Sequence, residues 1–216
     1  MIEAVVFDMD GVLLDSEHVW DEAREELVKD RGGRWHDGAQ RDMMGMSSLE
    51  WSRYMHDRLG VPEPPVEISA EVVRRLEAVY REHLPAVPGA SEAVARLAAR
   101  WPLGLASSSN RELIELALEL LGAAHLFQAT VSSEEVARGK PAPDVYLEAA
   151  RRLAVDPARA AAVEDSHNGI LSAKAAGMRV LAIPNHRFPP GADAVAQADV
   201  VLDSLAELTA GAVEPR

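Results

Sequence analysis

Asp8 and Asp10 are the first residues of this chain whose types and spacing could do chemistry. They follow a short run, Ala4 to Phe7, and Gly11 comes directly after them. That run is apolar and β-branched, as in a strand buried on both faces, and a glycine lets the chain turn sharply away. Side chains two apart along a strand share a side, so both carboxylates are expected to enter one small space. Two carboxylates so placed repel each other unless a cation or a shared proton compensates. The pair therefore suits a metal site, an acid/base pair, or both. On its own, Asp-x-Asp is more often a solvated acidic loop.

Three later stretches raise it above that. Ser107-Ser108-Ser109-Asn110 stands between an apolar run and a helical pattern. Hydroxyls beside the free N–H groups of a helix N-terminus suit phosphate, although such serines also serve simply as helix caps. In Gly139-Lys140-Pro141-Ala142-Pro143-Asp144 two prolines frame Lys140, and Pro143 suits the first turn of a helix. A rigidly framed lysine facing an acidic cluster would neutralise it and hold a phosphoryl oxygen. Glu164-Asp165-Ser166, with Asn168-Gly169 after it, supplies a second carboxylate pair. Asp8, Asp10 and Asp165 together offer only oxygen donors, the set that Mg²⁺ takes along with waters.

These stretches must be positioned by an alternation of elements. After Pro88-Gly89 the pattern reads helix at Ser91–Arg100, strand at Leu103–Ala106, helix at Arg111–Leu121 and strand at Ala129–Ser132. It continues with helix at Pro143–Ala154, strand at Ala160–Glu164, helix at His167–Ala176, strand at Val180–Ile183, and a last short strand and helix near Asp199–Leu208. Such alternation predicts an α/β fold with a doubly wound, mostly parallel sheet, whose ligands sit outside the carboxyl ends of the strands. Between the first strand and this series lies a block with no convincing strand. Helices are expected at Glu17–Arg31, Gln40–Met44, Ser48–Leu59 and Ser69–His83, broken by Gly45-Met46 and by Val61-Pro62-Glu63-Pro64-Pro65, with Asp15 or Ser16 as the first cap. The expected organisation is an α/β core of residues 1–15 and 84–216 interrupted by an all-helical insert of residues 16–83.

Bulk properties narrow the function. The 216 residues carry a net charge of −13, which disfavours nonspecific binding to nucleic acid or anionic membranes. No cysteine is present, which excludes disulfides, thiol catalysis and cysteine-held metals. No apolar run approaches the ~20 residues of a membrane span, and no leader is evident, so a cytoplasmic location is expected. Nothing specifies an oligomeric state. The seven histidines show no zinc-type spacing, and neither a Gly-x-Ser-x-Gly elbow nor a Walker loop occurs. Met43, Met44, Met46, Trp51, Tyr54 and Met55 could line a substrate pocket in the insert, but most are expected to be helical core.

The four stretches, in this order, resemble the motifs of the haloacid dehalogenase superfamily of phosphotransferases. Asp8-Met9-Asp10-Gly11-Val12 matches the first, Ser107 the second, Lys140 the third and Glu164-Asp165 the fourth, across essentially the whole chain. The resemblance is strongest to the β-phosphoglucomutase-like branch, through Asp15-Ser16-Glu17, the Gly139–Asp144 stretch and Glu164-Asp165-Ser166 with Gly169. It implies a Rossmann-like core with a helical cap and a small phosphorylated substrate. It also implies Asp8 as the nucleophile forming an aspartyl phosphate, with Asp10 as the acid and base. Mg²⁺ would be held by Asp8, the Asp10 carbonyl and Asp165, with Glu164 reaching it through water. Ser107, Ser108, Asn110 and Lys140 would bind the substrate's phosphoryl group. Asp10 argues against dehalogenase chemistry, because the dehalogenases of the superfamily lack it. The β-phosphoglucomutases carry a cap histidine and a cap arginine where this chain has Trp20 and Ser48. The resemblance therefore favours a sugar-phosphate phosphatase over a mutase, with Arg41, Arg53 and Arg75 as the cap cations that could restore mutase chemistry.

Overall fold

The computed structural model describes residues 1–43 and 46–214; Met44 and Gly45, and with them the expected end of the second helix, lie outside the described residues. Six strands form one sheet in which every neighbouring pair is parallel: β1 (Ala4–Phe7), β2 (Leu103–Ser107), β3 (Phe127–Ser132), β4 (Ala160–Glu164), β5 (Arg179–Ala182) and β6 (Val200–Val201). The spatial order is β3-β2-β1-β4-β5-β6. Val5 stands level with Leu103 on one side and Ala161 on the other, so β1 is central and the chain reverses its winding direction around it. The crevice above β1 is where such a sheet takes its ligands.

Helices cover both faces. These are α5 (Ala90–Ala98), α6 (Arg111–Leu120), α7 (Asp144–Arg152), α8 (His167–Ala175), and the short α9 (Ala192–Val195) and α10 (Ala210–Val213). Alternation along the strands divides the core. Val5, Phe7, Leu105 and Val163 pack with Leu97 and Leu113 on one face, while Val6, Ala162 and Val180 pack with Tyr146, Ala149 and Ile170 on the other. β4 reads Ala-Ala-Ala-Val-Glu and is buried throughout, so its small side chains let the flanking helices come close.

Four helices occupy the segment between β1 and α5: α1 (Glu17–Asp30), α2 (Ala39–Met43), α3 (Ser48–Asp57) and α4 (Pro65–Glu82), with no strand among the described residues. α4 starts four residues before the expected Ser69, because Pro65 takes the first helical position with Pro64 as its cap, where a missing N–H costs nothing. Pro143, by contrast, caps α7 instead of entering it. The helix expected near Asp199–Leu208 is absent, and turns lead to α10 instead. The two connections to the helical block run side by side. Leu14 bridges Ala86, the Asp15 N–H donates to the Pro85 carbonyl at 2.8 Å, and the Val87 N–H donates to the Leu13 carbonyl at 2.9 Å.

Candidate active site

β1 ends at Phe7, and the Asp8 N–H still bonds the Val163 carbonyl at 2.9 Å. This fixes Asp8 against the end of β4. Gly11 then turns the chain with φ of +82°, and a Cβ there would lie 1.9 Å from Asp165 Oδ2. Glycine is needed on both counts: a left-handed backbone and a carboxylate pressed against it. Both aspartates enter one cavity, as expected, but they bond different partners. Asp8 joins Glu164 and Asp165 in a buried acidic trio whose oxygens lie within 4.8 Å of one another. Asp10 turns instead to Ser16, Trp20 and the serine run.

Lys140 is brought to the trio by the loop before α7, through a cis Lys140–Pro141 peptide. Its Nζ lies 2.6 Å from Glu164 Oε1 and 2.9 Å from Asp8 Oδ1. Burial works against its charge, but Asp8 and Glu164 outweigh that and hold it above the ordinary lysine range. Burial first, and then the neighbouring Glu164, push the carboxyl groups of Asp8 and Asp165 well above the usual range. Glu164 is fully buried. Its Oε1 accepts from Lys140 and the Tyr146 hydroxyl, and its Oε2 from the Asp165 and Ser166 N–H groups and the Ser166 hydroxyl. Five donors occupy a carboxylate with about four lone-pair sites. Gly169 makes room for it, since a Cβ there would fall 1.8 Å from Glu164 Oε1.

Asp165 is the exception. Among the described residues its Oδ1 is buried with no hydrogen-bond partner, and its Oδ2 has only the distant Asn185 amide at 3.5 Å. A buried carboxylate oxygen without a donor is costly, and a hard cation shared with Asp8 would satisfy it.

Ser107 is buried at the end of β2. Its hydroxyl accepts from the Ser109 N–H at 3.0 Å and lies 3.5 Å from Asp10 Oδ2. Ser108 lines the cavity over Asp8, and its carbonyl accepts from the Ser133 hydroxyl. Asn110 is placed elsewhere. Its amide donates to Glu134 Oε1 at 2.7 Å and accepts from the Ser48 hydroxyl of α3 at 3.0 Å, so it ties the helical block to the core and does not line the cavity. The residue the sequence reading missed is Ser109, whose hydroxyl donates to Asp10 Oδ2 at 2.6 Å. Three consecutive serines could not show which of them faces the acid. Ser16 was expected only as a cap; it makes no cap bond and donates to Asp10 Oδ1 at 2.5 Å, with the Trp20 indole N–H 3.3 Å from the same oxygen.

The cavity measures about 470 Å³ and joins these groups to the helical block, where Glu17, Trp20, Arg24, Met43, Met46 and Trp51 line it. Tyr54 and Met55 do not; Met55 is core, and Tyr54 donates to Asp42 at 2.6 Å. Met44 lies outside the described residues. The loop after β5 adds Arg187 and Phe188, which no motif signalled.

Residues 2–177 match the model of the haloacid dehalogenase-like hydrolase family. The chain belongs to that family and is a phosphoric monoester hydrolase. It is 36% identical to hexitol phosphatase B of Escherichia coli (strain K12), over 97% of this chain and 95% of that protein. It is 34% identical to validoxylamine A 7'-phosphate phosphatase of Streptomyces hygroscopicus subsp. limoneus, over 96% of each. The crystal structure of CbbY from Rhodobacter sphaeroides in complex with phosphate superposes with a TM-score of 0.88 at 31% identity, covering 99% of both chains.

Proposed function

We propose that this enzyme hydrolyses a small phosphorylated metabolite, a sugar or polyol phosphate, with Mg²⁺ and through an aspartyl-phosphate intermediate. The single observation that carries the metal is the unpartnered Asp165 Oδ1 beside Asp8. Asp8, Asp165 and the Asp10 carbonyl would hold Mg²⁺, while Glu164, already saturated by donors, holds Lys140 and orients Asp165. When bound, the ion would neutralise charge on the transferring phosphoryl group. Asp8 attacks phosphorus. Lys140, already charged beside it, offsets the repulsion between a carboxylate and a phosphate dianion. The serine run at the N-terminus of α6 receives the phosphoryl oxygens. Asp10 gives a proton to the leaving oxygen and later takes one from the attacking water; Ser109, Ser16 and Trp20 hold it meanwhile.

Residues 16–83 act in this reading as a cap hinged at the paired connections around Leu14–Ser16 and Leu84–Pro88, closing to exclude water. The mutase alternative needs a fixed cation for a second phosphate. Arg53 is exposed and Arg75 is engaged by Glu26, Asp30 and Glu71; neither lines the cavity. Arg41 does, but it too is exposed. A phosphate-release screen over sugar, polyol and nucleotide phosphates, with and without Mg²⁺, tests the proposal. Mg²⁺-dependent release from several sugar or polyol monophosphates is expected. Release that persists undiminished in excess chelator, or isomerised sugar phosphate in place of free phosphate, would reject it.

A further inference from the structure

Arg24 is a buried cation that the proposed chemistry does not use. It is only 6% exposed and lies in α1 two turns after Glu17, on the same helix face. Its guanidinium carbon sits 4.7 Å from the centre of the Trp20 ring and 4.9 Å from that of Trp51, and those rings stand 6.0 Å apart at 69°. The two rings beside the guanidinium compensate part of its charge but accept none of its N–H hydrogen bonds in the guanidinium plane. Among the described residues Arg24 makes no ion pair within 4.0 Å and no hydrogen bond, and its Nε is buried without a partner. A guanidinium carries five N–H donors, and burying even the Nε–H unmet is expensive. Arg24 lines the same cavity as Asp8, so a ligand seated there can meet them.

Resting on the phosphatase reading, we infer that Glu17 and Arg24, framed by Trp20 and Trp51, form a subsite for the hydroxyl groups of a neutral polyol chain whose far end carries the phosphate at Asp8. Arg24 supplies donors and Glu17 an acceptor, the pair that neighbouring hydroxyls require, and the indole faces suit the C–H groups between them. A second phosphate is disfavoured there. Glu17, Asp21 and Asp10 already act on the guanidinium and would oppose another dianion.

The test uses the enzyme with Mg²⁺ and three probes: sorbitol 6-phosphate, fructose 1,6-bisphosphate and acetyl phosphate, which has no hydroxyl groups to offer Arg24. The wild type should prefer the polyol monophosphate to the bisphosphate in kcat/KM. Arg24→Met, which keeps apolar bulk between the indoles, should lose about 10- to 100-fold on sorbitol 6-phosphate and no more than about threefold on acetyl phosphate. Arg24→Lys should fall between, since it keeps the charge but loses the fork. Equal losses on both probes would make Arg24 a packing residue, and a preference for the bisphosphate would make it an anion site; either overturns the inference. Binding separates this from the phosphatase reading. Sorbitol 6-phosphate should bind Asp8→Asn at least about tenfold more tightly than Asp8→Asn/Arg24→Met by calorimetry, whether or not the wild type turns it over. Equal binding would reject the subsite alone.

Discussion

Lys140 and Arg24 are both almost fully buried cations, 7% and 6% exposed, that line one cavity. Lys140 has two carboxylates within 2.9 Å and titrates above its ordinary range. Among the described residues Arg24 has no carboxylate within ion-pair distance, and burial lowers it to about 10, against the weaker pull of Glu17 and Asp21. One cation is saturated by the protein, the other only by aromatic faces. The difference follows from the tasks. The phosphoryl end must present the same charge arrangement to every substrate, so the fold itself completes it. In the proposed reading the helical end meets the variable part of a substrate, and a donor left without a protein acceptor is what a ligand can complete.

The largest effect should come from breaking the saturated end. Asp8→Asn removes the proposed nucleophile and one of the two carboxylates facing Lys140, and the near-isosteric amide keeps the packing. Turnover in a phosphate-release assay should fall by at least about 10³-fold, whereas Glu17→Gln at the other end should lower it far less. Substantial Asp8→Asn activity, with deamidation excluded by mass spectrometry, would remove Asp8 from its role.

Stability separates the two cations next. Lys140→Met leaves Asp8, Glu164 and Asp165 facing one another with no cation, and breaking a buried pair in this way costs about 3–5 kcal/mol. Arg24→Met strands no partner within ion-pair distance and should cost about 1 kcal/mol or less, mainly lost stacking. Urea unfolding without Mg²⁺ measures both. Equal losses would mean that Glu17 pairs with Arg24 in solution as closely as Glu164 pairs with Lys140.

The same contrast explains what the sequence disclosed. The saturated end was legible because strand ends, prolines and paired acids are local signals: Asp8, Lys140 and Asp165 converge as their spacing implied. The partners of Asp10 were not, because they depend on the strand ending at Phe7 and on hydroxyls from two distant segments, Ser16 and the serines after β2. Asn110 misled for a related reason. It follows the serines in the chain, but its amide is captured by Ser48 and Glu134, a long-range contact that no local pattern encodes. Arg24 carried no signal of its own inside the helix expected at Glu17–Arg31, and only the arrival of Trp51 from α3 sets it among aromatic rings beside the cavity. Helix positions were legible and their boundaries less so, as with α4, where two prolines at its start could be read either as a break or as a first turn.

The smallest expected effect concerns Glu17. Burial first, and then the nearby Asp10, raise its carboxyl from an ordinary 4.5 to about 7. A carboxyl raised in the folded state holds its proton where the unfolded chain has released it, so stability falls as pH rises from about 4.5 to about 7 and is level above that. A fully buried group would contribute up to about 3 kcal/mol across this window; Glu17 is partly exposed, so about 1–2 kcal/mol is expected after screening. Asp8 and Asp165 are shifted in the same direction, so the wild-type curve alone cannot isolate Glu17. The difference between Glu17→Gln and the wild type can. The variant should gain stability relative to the wild type progressively between pH 4.5 and 7, and then hold a constant advantage. A difference independent of pH, measured by urea titrations at half-unit intervals, would mean that Glu17 stays ionised beside Arg24, and that the helical end saturates its cation from within the protein after all.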